Sequence, residues 1–108
     1  ALAPLFVLGL TPVVEEAMPF ADVLWYSLAD VRLYESLLEE ACMEANVPFL
    51  PVLRPFLEEP RWSRWLAADG LHCNSEGHGF LFERLRRWPA LGDWAGLRML
   101  EVPTPVGW

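Results

Sequence analysis

The sequence predicts an α/β fold built on a parallel sheet, of which this chain carries only a part. Three observations point there. Leu2 to Leu10 (LAPLFVLGL) is a continuous apolar run ending at Gly9 and the Thr11-Pro12 punctuation. A surface strand alternates apolar and polar residues, whereas a strand buried on both faces of a parallel sheet does not. A long amphipathic helical segment follows, and then a second short apolar run, Phe49 to Leu53. Strand, helix and strand in this order form one βαβ unit, with the strands parallel and the crossover right-handed. Finally, no other segment offers a convincing strand, so the rest of the sheet is expected from missing sequence or another chain.

The elements follow in order. After the first strand, Pro12 and Pro19 bracket a loop in which Glu15 and Glu16 are expected to be solvated. Asp22 is a plausible N-cap for a helix running to about Ala45. Leu24, Leu28, Val31, Tyr34, Leu38, Ala41 and Ala45 recur every three or four positions, which predicts the buried stripe. Trp25 and Tyr26 read as core, and Arg32, Glu35, Glu39, Glu40 and Glu44 as the solvated side. Asn46-Val47-Pro48 stops the helix ahead of the second strand. Arg54 to Ala68 reads first as a loop, through Pro55 and Pro60, and then as a short helix with Trp62, Trp65 and Leu66 on one face. Those tryptophans either pack on the sheet or line a cleft.

Asn74 is a good N-cap for a last helix, Ser75 to Trp88. His78, Leu81, Leu85 and Trp88 predict its inner stripe, with Glu83, Arg84, Arg86 and Arg87 outside. Positive charge near the helix C-terminus is favoured by the dipole, with anion binding as the alternative. Residues 1–88 thus read as part of one domain. Residues 89–108 read as an extension holding Trp94 and Trp108, with a short strand possible over Leu97 to Val102.

Composition narrows the function classes. A 54% apolar content supports a packed core, and 108 residues suffice for one small domain. Eight basic residues, all arginine, against fifteen acidic ones give −7 with no basic cluster. That argues against nucleic acid as a partner, because phosphate binding needs several cations on one face. No apolar run reaches the ~18 residues of a membrane span. Cys42 and Cys73 are too few for a disulfide framework. Cys42 reads as a buried thiol, and one bridge between the pair is the alternative. No signal-peptide pattern is visible, so localisation stays open.

The chemistry-bearing stretch is Asp69-Gly70-Leu71-His72-Cys73-Asn74-Ser75-Glu76-Gly77-His78. An acid three residues before a histidine, across a glycine turn, can set its carboxylate against Nδ1. That fixes the tautomer, frees Nε2 to act as a base and stabilises the imidazolium that forms. Lying after the second strand, the pair falls at the carboxyl end of the sheet, where open α/β sheets place their ligands. A hydrogen-bonded loop turn is the plainer alternative. Cys73 as a nucleophile is disfavoured, because adjacent side chains in an extended turn point apart. A metal site from His72, Glu76 and His78 is disfavoured too: His72 precedes the helix, while His78 points to its apolar stripe. No cofactor is implied.

The block D-G-L-H-C-N-S-E-G-H, followed by an amphipathic helix, resembles the last conserved block of the GDSL esterases and lipases, also called SGNH hydrolases. Upstream, the strand PLFVLGL with its TPV turn, the long helix, and VPFLPVL leading by a loop to DGLH look like the second half of that family's domain. The resemblance covers Leu2 to Trp88. It implies a flavodoxin-like SGNH-hydrolase three-layer sandwich with a parallel sheet, only its C-terminal half being present here. It also implies hydrolysis of an acyl ester, with Asp69 as the orienting acid and His72 as general base and acid. Family members often have proline after the histidine, where this chain has Cys73.

The family's nucleophile block, oxyanion glycine block and G-x-N-D block have no counterpart here, and no G-x-S-x-G elbow occurs. Ser27, Ser36, Ser63 and Ser75 do not have the nucleophile's context, nor Asn46 and Asn74 that of an oxyanion donor. By itself this chain is therefore expected to be inactive. Its expected partners are a small acyl ester and the missing N-terminal half, on the same or another chain, with a homo-oligomer as a further possibility. The reading from a different class is a non-catalytic α/β interaction module, with Trp62, Trp65, Trp94 and Trp108 at a protein interface and DGLH as a turn.

Overall fold

The computed structural model describes residues 4–18 and 27–92. Within them the chain is a small mixed α/β domain of three helices and a two-stranded parallel sheet. Strand β1 is Val7–Leu8 and β2 is Phe49–Leu50, with Val7 beside Phe49 and Leu8 beside Leu50. Val7 N–H donates to the Pro48 carbonyl at 3.1 Å and Gly9 N–H to that of Leu50 at 2.8 Å. The paired segment is much shorter than the apolar run around it. The ladder lasts only as long as its one neighbour, and Pro48 and Pro51 bracket β2, where each lacks an N–H to donate.

Helix α1, Leu28–Glu44, begins at a capping box: Asp30 N–H donates to the Ser27 hydroxyl, and Ser27 N–H donates to the Asp30 carboxylate. The Asp22 cap and the Leu24, Trp25 and Tyr26 positions lie outside the described residues. Replacing Ser27 by alanine is expected to cost about 1 kcal/mol, read from the midpoint of a denaturant titration. The helix ends at Ala45, and Asn46 takes the left-handed conformation (φ 59°) that commonly closes a helix.

The buried face of α1 is turned from the one its apolar spacing predicted. Val31 and Cys42 are buried, whereas Tyr34 is 53% exposed and Ala41 and Ala45 are in solvent. The inward line runs Leu28, Val31, Glu35, Leu38, Cys42, at steps of three and four. Glu35, expected on the solvated side, belongs to this line because main-chain donors at the ends of both strands need an acceptor there.

Two further expectations change. Leu53–Glu58 is a helix, α2, where a loop was expected. Pro55 is tolerated because it lies in the first turn, where backbone N–H groups have no intrahelical partner to lose. Glu15–Ala17 forms a 3₁₀ turn, and Glu15 is not free in solvent: its carboxylate accepts from Leu28 N–H at 2.9 Å. A second 3₁₀ turn, Trp62–Trp65, leads to helix α3, Ser75–Arg86.

Buried apolar side chains gather in three patches. Val13, Met18, Val31 and Leu53 form one, while Val52, Phe56 and Leu66 form another with Trp62, Trp65 and Phe80 against them. Trp65 stacks on Phe80 with ring centroids 4.6 Å apart, and Phe56 meets both edge-on, so these aromatics are used in packing. Leu50, Trp88 and Leu91 make the third patch, beside Phe6 and Leu85.

The inner side of α3 also differs from expectation. His78 is exposed, and Trp88 packs inward from just past the helix end. Arg84, expected outside, is half-buried and donates from Nη2 to the Pro51 carbonyl at 3.1 Å. Glu83 pairs with Arg86 and Arg87. Trp94, Trp108 and the Leu97–Val102 stretch lie outside the described residues. No helix among those described is long and apolar enough to cross a membrane.

Candidate active site at the Asp69–His72 turn

The turn is held by main-chain bonds on both sides. Leu66 and Cys73 form an isolated antiparallel bridge, Ala67 N–H donates to the His72 carbonyl at 2.7 Å, and Gly70 N–H donates to that of Ala67 at 3.0 Å. Gly70 has φ 69°, a conformation costly to other residues. A Cβ there would also stand 2.5 Å from the Val14 carbonyl oxygen. Val14 N–H donates to the Gly70 carbonyl at 3.0 Å, so the loop after β1 lies directly on the turn.

The Asp69 carboxylate is fully used. Oδ1 accepts from Leu71 N–H at 2.9 Å and His72 N–H at 3.0 Å, and Oδ2 lies 2.5 Å from His72 Nδ1. The His72 hydrogen bond and those two backbone donors lower the Asp69 pKa from 3.8 to about 2. With Asp69 ionised, Nδ1 carries the proton it donates, and in neutral imidazole Nε2 is then the lone-pair nitrogen. The His72 side chain is 80% exposed, and Nε2 has no hydrogen-bond partner among the described residues. The arrangement orients a base and leaves its free nitrogen open to a reactant.

A carboxyl pKa depressed by folding adds stability that is complete above the unfolded value and disappears as pH falls through the folded one. The Asp69 contribution is therefore expected to fade between about pH 3.8 and about pH 2. Asp69→Asn should flatten that part of the acid limb, measured by denaturant midpoints across the window.

Behind the turn, Asn74 starts α3 and ties it down. Its Oδ1 accepts from Gly77 N–H at 3.0 Å, while Nδ2 donates to the carbonyls of Arg64 at 2.6 Å and Leu66 at 3.2 Å. Cys73 and Cys42 are free thiols. Burial pushes the Cys73 thiol up, away from the thiolate a nucleophile requires. Ser27 caps α1 and Ser36 donates to the Arg32 carbonyl. No serine is hydrogen-bonded to His72 among the described residues. Glu76 and His78 lie exposed on α3, and no three His, Cys, Asp or Glu side chains among the described residues gather to hold an ion.

Glu35 has a part that its place among acidic neighbours hid. Its Oε1 accepts from Leu10 N–H at 2.8 Å, Val52 N–H at 3.2 Å and Leu53 N–H at 3.1 Å. It clamps the chain leaving β1 to the chain leaving β2, at the end of the sheet from which the Val13–Met18 loop continues to Gly70. Gly9 makes room, since a Cβ there would be 1.8 Å from Oε1. The signal was present in the sequence: Glu35 is in step with Leu28, Val31, Leu38 and Cys42.

No family model, no curated protein and no solved structure matches this chain.

Proposed function

We propose that this chain supplies the acid–base half of a serine-dependent acyl-ester hydrolase of the GDSL or SGNH type, within a flavodoxin-like three-layer domain. The observation that carries the reading is the Asp69 carboxylate on Nδ1 of a histidine whose Nε2 is open. A serine from outside the described residues, on the same polypeptide or another, attacks the ester carbonyl as His72 Nε2 takes its proton. The imidazolium, stabilised by ionised Asp69, then gives that proton to the departing alcohol, leaving an acyl-serine. Water, deprotonated by the same nitrogen, releases the acid and restores the serine. The oxyanion donors come with the serine-bearing part.

A fluorophosphonate label tests this, applied to the natively purified protein with any bound polypeptide and followed by denaturing intact-mass measurement. A single adduct on a serine, blocked by prior incubation with a short acyl ester, is the expected result. A folded sample that carries its serine-bearing part and still takes no label and hydrolyses no ester overturns the reading.

A further inference from the structure

Between β2 and the far end of α3 the structure holds a cavity of about 650 Å³. Leu50, Phe80, Trp88 and Pro89 give it apolar walls, and Glu83, Arg84 and Arg87 are its charged lining. These residues lie on β2, on α3 or just past the end of α3, and none belongs to the Asp69–His72 turn. A concave, mostly apolar space with a few polar groups is the usual form of a small-molecule site.

The charges at this cavity do not cancel. Glu83 is already shared between Arg86 Nε at 3.4 Å and Arg87 Nε at 3.0 Å. Arg84 has no carboxylate partner among the described residues. Its one hydrogen bond there is the donation from Nη2 to the Pro51 carbonyl, and its Nε is buried without a partner. A guanidinium carries five N–H donors, and a half-buried cation with a single neutral acceptor is under-compensated. Arg84, Arg86 and Arg87 together outweigh Glu83 and the roughly half negative charge at the carbonyl end of α3. On a chain of net charge −7, this is a locally cationic place.

We propose that this cavity binds a medium-chain carboxylate, its head group on the Arg84 guanidinium and its alkyl chain along Leu50, Phe80, Trp88 and Pro89. The Pro51 carbonyl steadies the guanidinium through one Nη2 hydrogen. The remaining hydrogens on Nη1 and Nη2 suit an end-on, two-bond pair with a planar carboxylate. That pair supplies the counter-charge that the described residues lack here, while the alkyl chain covers the apolar wall. Inorganic phosphate fits less well, because only one cation is uncompensated and most of the wall is apolar. The site draws nothing from the hydrolase reading.

Titration of the natively purified protein with sodium octanoate, followed by heteronuclear NMR, tests the site. Saturable shifts at the Trp88 indole and at the Leu50 and Phe80 amides are expected, with a submillimolar Kd. Octanol, which has the same chain without the charge, is expected to bind about tenfold more weakly, and octanoate to lose as much on Arg84→Gln. The absence of saturable shifts at those three residues overturns the proposal. So does octanol that binds as tightly as octanoate, or a folded Arg84→Gln variant that keeps its affinity. The octanol comparison uses the unaltered protein and decides alone should Arg84→Gln fail to fold. Each outcome stands whether or not the sample takes the fluorophosphonate label.

Discussion

Replacing His72 by alanine is expected to lower ester hydrolysis by roughly four orders of magnitude in kcat/KM. The size follows from the part proposed for Nε2: to take the serine proton, return it to the alcohol and then activate water. Among the described residues no neighbour is placed to substitute. Cys73 is held as a thiol by burial, and His78 lies beyond the turn on α3. The substitution should leave the fold intact, because the imidazole is 80% exposed and its one side-chain hydrogen bond among the described residues is to Asp69. A cooperatively unfolding variant whose neutral-pH midpoint falls only by the small contribution of the exposed bond to Asp69, with activity lost, would place the effect in the chemistry. Full activity in the variant would remove His72 from the mechanism.

Glu35→Ala is expected to destabilise the domain by about 3 kcal/mol, the largest stability effect foreseen here. Hydrogen bonds to a charged acceptor contribute about 1.5–3 kcal/mol each. Three converge on one oxygen, and the half-exposed position lets water replace part of what is lost. Glu35→Gln should recover much of the difference, because the amide oxygen still accepts. Gly9→Ala gives an independent approach to the same clamp. Its new methyl would meet Oε1 at 1.8 Å and the Val52 nitrogen at 2.9 Å, so the carboxylate must leave or the strand end must move. Equal losses in Glu35→Ala and Gly9→Ala, with little further loss in the double variant, would show that both act on one contact. Additive losses would show that they do not.

What the sequence made legible was the part governed by periodicity and by local hydrogen bonding. Both parallel strands, the span of α1 after Ser27, the stop at Asn46 and the Asn74 cap follow from patterns within a few residues. So does the approach of Asp69 to Nδ1 of His72, since three residues across a glycine turn decide it. The misreadings arose where a distant partner outweighs local chemistry. Glu35 read as solvated because nothing nearby announces three main-chain donors from residues 10, 52 and 53. Arg84 read as an outer cation because its acceptor, the Pro51 carbonyl, is 33 residues away. Tyr34 and Ala41 read as core because apolar spacing does not say which flank of a helix has a neighbour. Pro55 read as a breaker because its cost vanishes in a first turn, and where a turn begins is itself a tertiary outcome.

The three bonds of Asn74 bear on how this protein ages. By the ordinary rules of helix starts, aspartate in that place would be as good a cap. Here the amide nitrogen faces two carbonyl oxygens, those of Arg64 and Leu66. Spontaneous hydrolysis of the side-chain amide would replace that nitrogen by a charged oxygen, turning two attractions into two repulsions while leaving the bond to Gly77 in place. A one-dalton change, silent on a gel, would thus loosen the 3₁₀ turn from α3 directly behind the Asp69–His72 pair. Deamidation at Asn74, read as a one-dalton gain, is therefore expected to lower the denaturant midpoint of a stored sample.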